Sequence, residues 1–144
     1  MHTVKGTATT SIGILTVNAR VPVSGPPSAA RGRFDAKGNI LPSQAGGLPP
    51  SLTGLGAFHF TGPVTCLDVQ GGTVGLIYPI ARASGPIASH FKGQAIYISI
   101  QDNGPGAPEQ VGFAGPGPFG GAPSCPALVP FLSVTKGHIF VDGR

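Results

Sequence analysis

The sequence contains no tryptophan, only one methionine and one glutamate, and charged residues at only 10% of its 144 positions. Residues with a strong preference for helices are therefore scarce. No window of a dozen residues is free of glycine and proline while also carrying apolar residues at helical spacing. These absences exclude a helical fold, and an all-β fold is predicted.

Long apolar segments are also missing. No run reaches the roughly 18 consecutive apolar residues that a membrane helix needs, so we expect a soluble protein without a membrane span. The N-terminal residues Met1–Thr7 lack the apolar centre of a signal peptide. If the protein is exported, we expect its leader to be absent from this chain.

Basic residues are few and scattered along the sequence. Nine Lys and Arg stand against five Asp and Glu, for a net charge of +4. Only Arg31, Arg33 and Lys37 lie close together, and Asp35 interrupts them. Nucleic-acid-binding proteins usually carry a denser basic stripe. We therefore expect solvated surface charges and no nucleic-acid partner.

Glycine and proline are abundant, with 24 and 16 residues that together exceed a quarter of the chain. Disordered chains have low hydrophobicity, whereas 40% of this sequence is hydrophobic. Glycine and proline must then separate many short ordered strands. The length is typical of one domain, and we predict a single all-β domain over residues 1–144.

Alternating apolar and polar residues between turn signals predict about seven to nine short strands. They are Val4–Thr10, Gly13–Arg20, Arg31–Asp35, Ala57–Thr61, Val64–Val69, Thr73–Ile80, Gln94–Gln101, Glu109–Phe113 and Lys136–Asp142. Gly/Pro-rich loops are predicted over Leu41–Leu55, Ala81–Lys92 and Ala114–Pro130, and a turn over Asp35–Asn39. Antiparallel strands in this number form a barrel or a sandwich. We favour a barrel, because closure removes exposed strand edges and the chain has few charges to protect them.

The two cysteines predict a disulfide. Cys66 lies in a predicted strand and Cys125 in a predicted loop. A bond between them would pin the long loop to the sheet, as in many small secreted domains. Two buried free thiols are the alternative. A disulfide favours an extracellular or cell-surface location.

The sequence shows no catalytic or metal-binding pattern. The four histidines are isolated, without the spacings of zinc sites. Asp102 and Asn103 resemble the start of a calcium loop, but the four residues after Gly104 have no oxygen-bearing side chains. We interpret Asp102, Asn103, Gly104 and Gly106 as a structural turn. No Gly-x-Ser-x-Gly motif is present, so we predict no catalytic residue, metal or cofactor.

Three segments occur in an order that resembles a known group of proteins. They are the strand Val64-Thr65-Cys66-Leu67, the turn Asp102-Asn103-Gly104-Pro105-Gly106 and the closing strand Lys136–Asp142. The order resembles small secreted or surface-attached bacterial β domains of uncharacterised function. The resemblance covers Arg31 to Asp142, with the best match after Val64, and the chain departs from it in Pro105 and in two long loops. It implies an all-β fold and export, and no catalytic residue carries over.

The leading hypothesis is a non-enzymatic secreted or surface β domain with a structural, self-assembly or binding role. It follows from the missing catalytic pattern, the low charge and the expected disulfide. Abundant glycine and proline with few charges would also suit packing against copies of the same chain, in a multimer or filament.

The alternative is a barrel that binds or acts on a small apolar ligand in an interior cavity. Phe58, Phe60, Tyr78 and Tyr97 would line that cavity, with His59 or Asp102 as a polar group. The same aromatic residues would otherwise simply fill the core. Carbohydrate binding on exposed aromatic platforms is disfavoured, since the sequence has no Trp and two Tyr.

Overall fold

The computed structural model describes residues 1–40, 56–104, 107–118, 122 and 124–142, and it confirms the all-β class. Within these ranges the chain forms eleven strands and two short 3-10 turns, at Pro27–Ala29 and Ala88–Phe91. The strands are β1 (His2–Thr10), β2 (Gly13–Val21), β3 (Arg31–Ile40), β4 (Gly56–Pro63), β5 (Cys66–Gln70), β6 (Thr73–Pro79), β7 (Arg82–Ser84), β8 (Ala95–Gln101), β9 (Gln110–Gly117), β10 (Leu132–Ser133) and β11 (Lys136–Asp142). No helix in the described ranges is long and apolar enough to cross a membrane.

The strands form two antiparallel sheets. The first has six strands in the order β11-β1-β2-β3-β4-β7, and the second has five in the order β10-β9-β8-β6-β5. In the first sheet, β1 to β4 follow one another along the chain and pair over nearly their full length. Among the strands described, none of one sheet pairs with a strand of the other.

Alternation along each strand sorts its side chains to opposite faces of the sheet. In β2, Leu15, Val17 and Ala19 are buried, whereas Thr16 and Asn18 are exposed. The inward side chains of both sheets belong to one hydrophobic core. The two sheets therefore bury their apolar faces against each other.

Aromatic and polar contacts also link the sheets. Phe34 of β3 stacks on Tyr78 of β6, with the ring centroids 4.7 Å apart. The buried carboxylate of Glu109, just before β9, accepts the Ile139 backbone N–H of β11, with both oxygens at 3.0 Å. His138 Nδ1 lies 3.2 Å from the same carboxylate. These partners are needed because a buried charge without them is costly.

Three loop and turn predictions are wrong in part. The turn predicted over Asp35–Asn39 lies inside β3, because this strand pairs with β2 on one side and β4 on the other. The loop predicted over Ala81–Lys92 contains β7 and a 3-10 turn, and the one over Ala114–Pro130 overlaps β9. In each case pairing with a neighbouring strand outweighs the local turn signal. The predicted Leu41–Leu55 loop lies outside the described residues.

The predicted disulfide is confirmed. Cys66 of β5 is bonded to Cys125, 59 positions later in the chain. In the chain-entropy model, closing a loop of this length stabilises the fold by about 4 kcal/mol. The two cysteines form a small hydrophobic cluster with Ile77 and Ala95, separate from the main core. This cluster lies on the outer face of the five-stranded sheet.

Residues 124–130, here called the strap, cross that outer face. The backbone N–H of Leu128 donates to Ser99 Oγ at 2.7 Å. The hydroxyl of Tyr97 donates to the carbonyl of Pro126. The disulfide and these two hydrogen bonds attach the strap to β5 and β8, so that it covers the middle of the sheet.

Two glycines beneath the strap allow its close approach. A Cβ atom at Gly75 would lie 1.8 Å from the carbonyl oxygen of Cys125, and one at Gly112 would lie 2.9 Å from that of Val129. Cβ atoms essentially never approach other atoms more closely than 3.0 Å. Any side chain at Gly75 must therefore displace the strap.

We expect Gly75→Ala to lower the free energy of unfolding by about 1–3 kcal/mol, the usual cost of overpacking. The added methyl group would collide with the strap backbone. Gly112→Ala is the matched control with a smaller expected loss, because its methyl group would need only a slight shift. Urea unfolding followed by circular dichroism measures both, and unchanged stability of Gly75→Ala would contradict this packing.

Candidate functional site

The structure brings together three of the residues predicted to bind a ligand. Phe58, Phe60 and Tyr78 line a cavity between the sheets. His59 points outward from β4, with 47% of its side chain exposed. Tyr97 lies under the strap, on the far side of the five-stranded sheet. The cavity therefore lacks the polar group that the ligand hypothesis assigned to it.

The cavity is small. The cavity that the described residues enclose has a volume of about 20 Å³, which leaves room for about one water molecule. Pockets for small-molecule ligands usually measure about 300–1,000 Å³. The aromatic residues here act mainly as core, as the stacked pair of Phe34 and Tyr78 illustrates.

Burial raises the pKa of both tyrosines. The pKa of Tyr78 is raised strongly by burial, and the negative charge of Asp35 adds to the shift. The pKa of Tyr97 is raised by partial burial and then by Asp68. Both hydroxyls therefore stay protonated at neutral pH, which favours roles in packing and hydrogen bonding.

The residues of the predicted structural turn lie at the end of β8. The Gly104 backbone N–H donates to Asp102 Oδ1 at 3.0 Å. The side chain of Asn103 donates from Nδ2 to the Pro108 carbonyl at 2.9 Å. Gly106 lies outside the described residues. These hydrogen bonds stabilise a turn of the Asx type.

The outer face of the six-stranded sheet carries most of the basic residues of the chain. Seven of the nine Lys and Arg point outward from its strands and are exposed. They are Lys5, Arg20, Arg31, Arg33, Lys37, Arg82 and Lys136. We call this surface the basic face.

Carboxylates on the basic face compensate little of this charge. The two that share it are Asp35 and Asp142. Asp35 accepts a hydrogen bond from Thr61 Oγ1 at 3.0 Å and lies 2.7 Å from His59 Nε2. In the described part of the chain, no ion pair joins any of the seven basic side chains to a carboxylate. The face therefore has a positive potential that remains available to a partner.

Three arginines concentrate this charge at one end of the face. Arg20 of β2 is directly opposite Arg31 of β3, and Asn18 is opposite Arg33. These four residues and Gly32 line a surface depression of about 290 Å³. We call Arg20, Arg31 and Arg33 the arginine cluster. Like charges directly opposite each other in a sheet are destabilising.

A catalytic role for the Asp35–His59 pair has little support. Ser84 is next to His59 in register, but no hydrogen bond joins the side chains of these two described residues. The His59 and Asp35 side chains are 47% and 37% exposed, so neither is held in the desolvated setting that activates a nucleophile. Across the described ranges, no group of three His, Cys, Asp or Glu would hold a metal.

Sequence reasoning missed the basic face. Its one local signal was the spacing of Arg31, Arg33 and Lys37, which alternate along a single strand and so share a face. The predicted turn over Asp35–Asn39 concealed that signal. The remaining basic residues come from four other strands, and only strand pairing brings them together.

No protein-family model, curated protein or solved structure matches this chain. The resemblance to small secreted bacterial β domains therefore stays a prediction.

We expect the free energy of unfolding to fall as pH rises above about 10, the ordinary pKa of tyrosine. Tyr78 must stay protonated in the folded state but ionises in the unfolded chain. Its contribution to the free energy of unfolding is therefore complete below that pH and is lost above it. Tyr78→Phe should flatten this fall relative to the unmodified chain. Urea unfolding between neutral pH and pH 11 measures both slopes. Tyr97→Phe should flatten the fall less, because Tyr97 is only partly buried, and identical slopes for Tyr78→Phe and the unmodified chain would contradict the assignment.

Proposed function

We propose that this protein is a non-enzymatic extracellular β domain with a binding role, and that its basic face binds an anionic polysaccharide. The observation that supports this is the collection of seven exposed Lys and Arg, without carboxylate partners among the described residues, on one sheet face. A surface of one charge sign attracts an oppositely charged partner and speeds its association.

The shape of the face suits a linear polymer. Neighbouring strands lie about 4.8 Å apart, so six strands span about 24 Å. The basic residues are distributed over five of those strands, from Lys136 of β11 to Arg82 of β7. A polymer with repeated negative charges would meet several of them at once, whereas a small anion would meet only one or two.

Three features favour a polysaccharide over other polyanions. The disulfide fits an oxidising compartment outside the cytosol, where anionic glycans are accessible. Proteins that bind single-stranded nucleic acid rely on aromatic stacking, and Phe140 is the one Phe, Tyr or Trp among the described residues of this face. Binding to lipid surfaces typically uses an amphipathic helix, and the described ranges contain no helix other than two short 3-10 turns.

We also propose an extracellular location and a sandwich architecture. The disulfide supports an extracellular or cell-surface protein. Each sheet keeps two edge strands of its own, β11 and β7 in the first sheet and β10 and β5 in the second. We infer a sandwich instead of the barrel favoured by the sequence, because a barrel needs pairing that closes the sheet on itself.

We expect retention on an immobilised polyuronate or sulfated glycan that falls steeply as salt rises, because screening weakens exposed charge contacts. The quadruple variant Lys5→Gln, Arg33→Gln, Lys37→Gln, Lys136→Gln should bind at least about tenfold more weakly. Lys92→Gln is the matched control, since Lys92 belongs to neither sheet, and it should bind nearly as the unmodified chain does.

Three results would contradict this proposal. They are binding that does not depend on salt, equal loss in the Lys92→Gln control, and stronger binding to single-stranded DNA or to anionic vesicles than to the glycans at equal ionic strength. Circular dichroism of each variant checks that the fold is retained.

Self-association is a second candidate function, and the strap supports it. Leu128 and Val129 of the strap and the following Phe131 are 45%, 86% and 38% exposed. Contiguous exposed apolar residues often mark contact surfaces between proteins. A second copy of the chain would cover them. An apolar ligand in the interior has less support, because the cavity is too small.

If the strap mediates self-association, sedimentation velocity should show multimers that increase with protein concentration. Val129→Ser should shift the distribution towards the monomer by removing exposed apolar area. Thr73→Ser, at the start of β6, keeps the hydroxyl that donates to the Gln70 carbonyl and serves as the control. A strict monomer at high concentration would contradict this second candidate.

A further inference from the structure

The arginine cluster differs from the rest of the basic face in how closely its charges lie. Arg20 and Arg31 are direct cross-strand partners, and Arg33 is the next outward residue along β3. Directly opposed residues in antiparallel strands have Cβ atoms only about 4.5–5.5 Å apart. Three guanidinium groups can therefore converge on one small anion.

The backbone around the cluster is well fixed. Gly32, between the two arginines of β3, lies so close to β2 that a Cβ atom would be 2.1 Å from the Asn18 carbonyl oxygen. Its own carbonyl accepts the Val64 N–H at 2.9 Å. The connection that leads from β2 to β3 contains a 3-10 turn over Pro27–Ala29. The arginines thus project from a rigid frame, which lowers the entropy lost on binding.

A second depression adjoins the first. It measures about 310 Å³ and shares Arg31 and Gly32 with the arginine depression. Its other lining residues include Ser28 and Thr65. The Ser28 hydroxyl can donate to or accept from a sugar, and the Thr65 hydroxyl, which donates to the Ile77 carbonyl at 3.4 Å, can accept from one. The two depressions together offer a site for a charged group and, beside it, a site for the ring that carries that group.

The chemistry of the cluster points to a tetrahedral oxyanion. Guanidinium groups bind carboxylate, sulfate and phosphate oxygens with paired hydrogen bonds, which a lysine cannot do. A sulfate or phosphate monoester has three terminal oxygens and a carboxylate has two, so only the ester offers an oxygen to each of three guanidinium groups. In the described part of the chain the three arginines have no carboxylate partner. Their mutual repulsion is unfavourable, and an anion bound among them would relieve it.

We infer that the arginine cluster is a subsite for a sulfate or phosphate ester of the bound polymer, with the sugar that bears it lying against Ser28 and Thr65. This inference rests on the proposed binding of an anionic polysaccharide. It adds that the face distinguishes ester oxyanions from carboxylates.

The first experiment uses inorganic sulfate and inorganic phosphate as probes. Thermal unfolding is compared with that in chloride at matched ionic strength, for the unmodified chain and for Arg31→Gln, which alters the arginine shared by both depressions. Sulfate raises the Tm of proteins generally. The subsite is therefore measured by the part of the rise that the unmodified chain shows and Arg31→Gln does not. Lys92→Gln, which lies outside both sheets and outside the basic face, should keep the full rise.

The second experiment compares polymers of equal charge density: a sulfated glycan, a glycan that carries phosphate monoesters, and a polyuronate. We expect the unmodified chain to bind one of the two ester polymers about tenfold more tightly than the polyuronate. Arg31→Lys keeps the charge but loses the paired hydrogen bonds. It should retain the salt-dependent binding and lose the preference.

The results separate the inference from the function on which it rests. Equal affinity of the unmodified chain for all three polymers, or an unchanged preference in Arg31→Lys, would overturn the subsite while leaving the polysaccharide function intact. Absence of salt-dependent binding to any polymer would overturn both. Whichever ester polymer is preferred identifies the oxyanion as sulfate or phosphate.

Discussion

The strict alternation of side chains along β1 to β4 is the constraint on which the rest of the structure depends. These strands pair consecutively and over nearly their full length. A shift of one residue in any pairing would move every inward side chain to the solvent face. The burial of Leu15, Val17 and Phe34 in the core therefore also determines that Arg20, Arg31 and Arg33 face outward.

The two sheets differ in what covers their outer faces. The five-stranded sheet has its outer face covered by the strap, which the Cys66–Cys125 bond and the Leu128–Ser99 hydrogen bond hold in place. The six-stranded sheet has an outer face made of threonines and basic residues. One side of the molecule is thus closed by the chain itself, and the other presents charge to solvent. This asymmetry favours the basic face as the surface that binds a partner.

Charge on the basic face has a cost in stability. Opposed arginines repel each other, and the described carboxylates do not pair with them. A packed core and a disulfide can offset such a cost, since a closed loop of 59 positions stabilises the fold by about 4 kcal/mol. Retained unfavourable contacts of this kind are common at functional sites. The arginine cluster is such a place in an otherwise sparsely charged chain.

Much of this architecture was predictable from local sequence. The all-β class follows from glycine and proline spacing, because local turn chemistry governs it. The disulfide was predictable because a chain with two cysteines allows only one internal pairing. Strand boundaries were less predictable where a local turn signal at Asp35–Asn39 competes with pairing on both sides.

Only the tertiary structure decided which distant residues become neighbours. The sequence separates Lys5, Arg20, Arg82 and Lys136 widely, and their common face arises from strand order and register. Likewise, Phe58 and Phe60 proved to be core while Tyr97 lies outside it. Local sequence determines that a segment is a strand, but the choice of partner strands depends on contacts across the whole chain, and that choice sets the charge of each face.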